Sequence, residues 1–197
     1  MKRVAVGLLA VAMVGSLAAC KTPQKPVTSE KTPFEVMQEK ANAVTAAGGL
    51  AAVGIGQSAT VYLALDKAKT RGRTEIAHII ETKVESLKKD FSEEVGEGKG
   101  SEYNGLFSAA SKSIASQVLR GCVPKDLKYA TENGQTTAWA LMVQDPKVIA
   151  DAFAAEANTQ RQQYTRFRAS QAFNDLDSEV KKFEEFKKQD AGGAVSP

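Results

Sequence analysis

Two cysteines, one histidine and a group of serines are the side chains of this 197-residue chain best suited to covalent or acid–base chemistry. A thiolate can take an acyl group or form a disulfide, an imidazole moves protons near neutral pH, and a hydroxyl becomes a nucleophile beside a base. Spacing decides which of these is open to each residue. His78 stands alone in "EIAHII", without the H-E-x-x-H step that sets two imidazoles on one helical face. It reads as a residue on a helix flank. Ser108, Ser111, Ser113 and Ser116 have no histidine or lysine at a triad spacing, so they read as polar helix surface. Gly54 and Gly56 are followed by Ala59, which breaks the G-x-G-x-x-G spacing of a dinucleotide loop. The chain is therefore read as non-enzymatic, with no catalytic residue, metal site or cofactor.

Cys20 stands in a different setting. Lys2 and Arg3 make a cationic start, Val4 to Leu17 form an almost uncharged apolar stretch, and the small Ala18 and Ala19 precede the cysteine. The stretch is shorter than the roughly 20 apolar residues of a membrane span. Leu17-Ala18-Ala19-Cys20 resembles the lipobox of bacterial lipoproteins. That resemblance implies that residues 1–19 are a signal peptide and that Cys20, carrying two or three acyl chains, begins the mature protein. Each buried methylene contributes about 0.8 kcal/mol, and two chains hold where one does not. Lys21, where an aspartate resembles an inner-membrane retention signal, implies the outer membrane. Residues 20–32, "CKTPQKPVTSEKT", are nearly devoid of apolar side chains and carry Pro23 and Pro26, the composition of a stiff, solvated tether.

Removing residues 1–19 takes away Lys2 and Arg3, leaving 24 bases against 23 acids. That balance argues against the concentrated basic face of a nucleic-acid binder. Cys122 is then the one thiol not acylated, so no internal disulfide is available and stability must come from a core. Cys122 reads as a small buried, inert thiol, with an intermolecular disulfide as the alternative.

The elements follow from periodicity and punctuation. Thr32-Pro33-Phe34-Glu35 has the hydroxyl, first-turn proline and glutamate of a capped helix start, and Gly48-Gly49 stops that helix. "LAAVGIGQ" reads as a strand whose glycines mark close backbone approach. Val61, Leu65, Ala68, Gly72, Ile76 and Ile79 recur at helical spacing, and Gly72 on that stripe lets helix and sheet come together. "ETKVESLKKDFSEEV" is read as a strand between two helices. The next helix runs from about Tyr103 to Leu119, with Phe107, Ala110, Ile114 and Val118 inward. Asn133-Gly134 joins two strands in a hairpin that opposes Tyr129 to Ala138 and Lys128 to Trp139. Trp139 reads as a packing residue.

Asp145-Pro146 opens a long amphipathic helix over 146–190, and 191–197 reads as a disordered tail. Ile149, Phe153 and Ala157, with Tyr164 and Phe167 after polar Gln160, form one stripe. Beyond a phase break, Phe173, Leu176, Val180 and Phe183 repeat at three, four and three, two short heptads of a coiled-coil seam. The seam is expected to serve assembly, against the alternative of a helix folded back on its own domain. The fold class is thus α+β: a small antiparallel sheet in the order strand–helix–strand–helix–hairpin, packed on helices over 33–145, with a long C-terminal helix.

This order over 50–144 resembles the twenty-kilodalton outer-membrane lipoprotein family. Gly54 and Gly56, then Ala64, Ala68, Arg73, Glu75, Ile76 and Ala77 on the first helix, then the Leu119-x-Gly121 step into the hairpin, carry the likeness. About half the chain is covered, and the segment 146–190 departs from the shorter members. The resemblance implies an α+β domain on a lipid anchor, no catalytic residues and, in some members, a place in rings or disks around the flagellar motor. The expectation is a non-enzymatic structural or assembly component of the cell envelope. Its partners are the membrane through Cys20 and a second copy or another envelope protein. The alternative is a ligand- or cell-wall-binding module, or a regulator of a periplasmic enzyme, using the sheet face near Trp139.

Overall fold

A computed structural model describes residues 31–96 and 100–193. Helix α1 (Pro33–Ala46) begins with the expected capping box: Glu35 N–H donates to Thr32 Oγ1 at 3.2 Å and Thr32 N–H donates to Glu35 Oε2 at 2.7 Å. The Thr32 N–H bond holds the Glu35 carboxyl below its usual range. Gly48 takes a φ of +88° and turns the chain into strand β1 (Leu50–Ser58). Helix α2 (Val61–Val95) follows, 35 residues without interruption.

The strand expected over "ETKVESLKKDFSEEV" is therefore absent, and the segment is the second half of α2. The buried stripe Ala64, Ala68, Gly72, Ile76, Ile80, Val84, Leu87 and Phe91 keeps its three-to-four step throughout. Between Gly72 and Gly96 the chain holds no glycine or proline, and Glu and Lys favour the helix. A 3₁₀ turn (Gly100–Tyr103) leads into α3 (Asn104–Gly121), then come β2 (Val123–Glu132) and β3 (Gln135–Gln144).

The sheet is antiparallel in the order β1-β3-β2. Asn133 and Gly134 have φ of 49° and 75°, as a type I′ turn requires, and the predicted register holds: Lys128 opposes Trp139 and Tyr129 opposes Ala138. A bulge between Pro124 and Asp126 turns Lys125 toward the C-terminal helix, where it meets Asp190 at 2.6 Å.

One sheet face packs Leu50, Ala52, Ala138, Ala140 and Met142 against α2. The approach is backbone to backbone. A Cβ on Gly54 would lie 2.0 Å from the Ala68 carbonyl oxygen, and one on Gly56 would lie 2.1 Å from that of Ala64. The expected close approach of helix and strand at these glycines and Gly72 is what the chain forms. The opposite face packs Ala51 and Leu141 against Met37, Ala41 and Val44 of α1, with Trp139 and Val143 partly buried beside them.

The segment after β3 is three helices, α4 (Lys147–Ala155), α5 (Arg161–Arg168) and α6 (Gln171–Gly193), where one continuous helix is expected. The first bend, between Ala155 and Arg161, falls inside the stripe expected to be continuous; the phase break in the sequence marks the second, between α5 and α6. Ser170 is buried there, donating to Phe167 O and accepting from Phe173 N–H, so it caps α6 and ends α5 together. Helix α6 extends three residues into the tail expected over 191–197, and 194–197 lie outside the described residues. The fold class is α+β, with a three-stranded antiparallel sheet and a long C-terminal helix.

Candidate assembly surface

Helix α6 does not stand free. Leu176, only 1% exposed, joins the main core, and Phe183 joins the cluster on the α1 face of the sheet. Val180 is buried, and Phe173 is half-buried against Phe167. The seam Phe173, Leu176, Val180 and Phe183 thus faces the chain's own domain, which corrects the expectation that it serves assembly. The reason lies in Gly48 and Gly49: side chains there would sit 2.6 Å from the Glu179 carbonyl oxygen and 2.4 Å from the Phe183 ring. Two glycines read as a helix stop also form the seat of α6. Ion pairs fasten it: Lys83 with Glu179, Lys125 with Asp190 at 2.6 Å and Lys187 with Asp145 at 2.5 Å.

The remaining candidates resolve plainly. Cys20 and the tether up to residue 30 lie outside the described residues. Cys122 is 2% exposed, and burial pushes its thiol up, partly offset by the Arg73 charge. A protonated, enclosed sulfur is the inert thiol expected. His78 is exposed on α2, its Nδ1 3.7 Å from Glu81. Ser111 Oγ donates to the Phe107 carbonyl at 2.8 Å, a helix-surface bond, and Ser108 is exposed. Trp139 packs beside the α1 cluster, so the sheet face near it is largely covered by helices.

What remains open is an edge. In a two-residue hairpin the residues flanking the turn exchange both backbone bonds, so Glu132 pairs with Gln135. Alternation then sends the N–H and C=O of Lys128 and Ala130 toward β3 and those of Leu127, Tyr129 and Thr131 outward. The same count turns Ile55 and Gln57 of β1 outward at the other edge. There Arg71 Nη1 donates to Ile55 O at 2.7 Å and Lys67 Nζ donates to Gln57 O at 3.1 Å, capping the strand. Among the described residues no side chain does this for β2.

The β2 edge is also apolar. Val123, Leu127 and Tyr129 are 65%, 42% and 58% exposed. Leu127 and Tyr129 share the α2 face with buried Ala140 and Ala138, beyond the reach of the helix. On the other face Lys40 pairs with Asp126 at 2.5 Å and holds that carboxyl below its usual range. These apolar residues are absent from the sequence-predicted site. The alternation in "DLKYAT" carries their signal, but only the tertiary structure shows that nothing covers them. A long exposed apolar edge is a template for another chain.

One cavity of about 290 Å³ lies between α2 and α3, floored by Ile80, Val84, Ile114 and Val118 and rimmed by Glu81 and Glu85. Among the described residues no helix is long and apolar enough to cross a membrane. No protein-family model matches the chain, and neither a curated protein nor a solved structure does.

Proposed function

We propose that this chain is a non-enzymatic outer-membrane lipoprotein, held by acyl chains on Cys20, whose folded part is an assembly component of the cell envelope. The observation that carries the reading is the open β2 edge, with Val123, Leu127 and Tyr129 exposed while the opposite edge is capped. Burying such side chains contributes roughly 1.5–3 kcal/mol each, a gain that another polypeptide can realise. Leu17-Ala18-Ala19-Cys20 supports the anchor, and the resemblance to the twenty-kilodalton family supports an envelope role, flagellum-associated in some members. The partner is a second copy or another envelope protein, not a nucleic acid.

The anchor is tested by labelling cells with palmitate and fractionating their membranes. The native chain is expected to take the label and remain with the membrane through high salt. Cys20→Ser is expected to lose both the label and processing. Label retained in that variant, or absent from the native chain, contradicts the reading.

The second reading, a ligand- or cell-wall-binding module or enzyme regulator, is favoured by the cavity between α2 and α3. Its volume lies at the small end of ligand sites.

A further inference from the structure

We infer that the β2 edge pairs with the β2 edge of a second copy, antiparallel and centred on Ala130. The inference rests on the assembly reading above and names its partner. Two identical strands joined about a twofold axis can meet only in registers that map each residue onto its mirror position. Charge selects among them. Centred on Tyr129, Glu132 would oppose Asp126 of the other copy; centred on Lys128, two lysines would face each other. Centred on Leu127, the pairing would run into the bulge between Pro124 and Asp126. Centred on Ala130, Lys128 opposes Glu132 of the other copy, and by symmetry the contact occurs twice.

Side chains and backbone agree with that register. Lys128 and Glu132 are exposed, and among the described residues neither forms a contact ion pair within its own chain; the Lys128 charge acts at longer range on Asp126, which Lys40 already holds. Opposite charges directly across a ladder stabilise it and like charges destabilise it. Tyr129 then lies opposite Thr131 of the other copy on the α2 face. The outward N–H and C=O groups of these two residues are the ones that would form the new ladder. The overlap spans 128–132, a short pairing that favours a weak dimer in dilute solution. Two copies tethered in one membrane meet at a far higher effective concentration, where such a pairing is populated.

The test uses the full acylated chain in its membrane. Ala130→Cys places a thiol on the twofold axis at a non-hydrogen-bonded position, where Cα atoms are about 4.5 Å apart. That separation lies within the range of about 4.4–6.8 Å that a disulfide spans. Mild oxidation is expected to yield a dimer band about tenfold stronger than that from Glu93→Cys, on the exposed end of α2. Adding Glu132→Lys is expected to weaken the band about tenfold, and Lys128→Glu together with Glu132→Lys to restore it. A band absent from Ala130→Cys, equal to that of Glu93→Cys, or indifferent to the charge changes overturns the pairing. Palmitate label read on the same gel separates the two ideas: label without cross-link sinks the dimer and leaves the anchored reading standing. Cross-link without label sinks the anchor alone.

Discussion

Leu176→Asp combined with Val180→Asp is expected to unfold the protein under conditions where the native chain is stable. Both side chains are buried within the chain's own core, and Leu176 is 1% exposed. Each substitution removes a packed apolar group and places a carboxylate where water does not reach. Truncating a buried leucine alone costs about 2–5 kcal/mol, and an unpaired buried charge costs several more. The sum rivals the roughly 5–15 kcal/mol that keeps a domain folded. Circular dichroism should show loss of the cooperative thermal transition, or its displacement by tens of degrees. A melting temperature within a few degrees of the native one, accompanied by loss of an oligomer, would put the seam outside the core and restore its assembly role.

The second large effect belongs to Phe167. Its ring lies 5.3 Å from Phe91, 5.0 Å from Phe107, 4.6 Å from Phe153 and 5.5 Å from Phe173, centroid to centroid. Its four neighbours come from four different helices (α2, α3, α4 and α6), so Phe167 of α5 is where the helical half of the protein joins. Phe167→Ala is expected to cost about 3–5 kcal/mol, since the neighbours cannot all collapse into the space left. For a protein of this size that lowers the melting temperature by roughly 10 °C or more. Phe173→Ala, at the half-buried rim of the same cluster, should cost clearly less. Equal losses at the two positions would show that the cluster has no centre at Phe167.

Local chemistry made some elements legible. The Thr32–Glu35 capping box, the Asn133-Gly134 turn and the register it sets are decided within a few residues, and each stands in the fold as read. Gly54, Gly56 and Gly72 were legible because a missing side chain on an apolar stripe has few uses other than close packing. The segment from Glu81 to Val95 misled because its irregular mixture of Val84, Leu87 and Phe91 among charges fits a poor strand as easily as the closing turns of a long helix. Only the continuity of the stripe from Ala64 decides between them.

The destination of α6 was not legible for a different reason. A three-four spacing of Phe173, Leu176, Val180 and Phe183 is the same whether the partner is a neighbour or the chain's own sheet. What settles it is Gly48-Gly49, more than 120 positions away in sequence, whose bare backbone receives the helix. The open β2 edge was hidden likewise. "DLKYAT" shows its alternation in the sequence, but that α2 covers Ala138 and Ala140 and stops short of Leu127 and Tyr129 is a property of the packed layers.

The measurement that bears most directly on the central claim is the size of the acylated protein after chemical cross-linking within its own membrane, before extraction in mild detergent, compared with Tyr129→Pro. The Tyr129 N–H points away from β3, so proline there removes an outward donor without breaking a bond inside the sheet. Sedimentation velocity is expected to show the native chain in a form larger than the monomer. Tyr129→Pro should sediment as a monomer with an almost unchanged melting temperature. A native chain that sediments as a monomer, or a proline variant that keeps the larger form, would contradict assembly through the β2 edge.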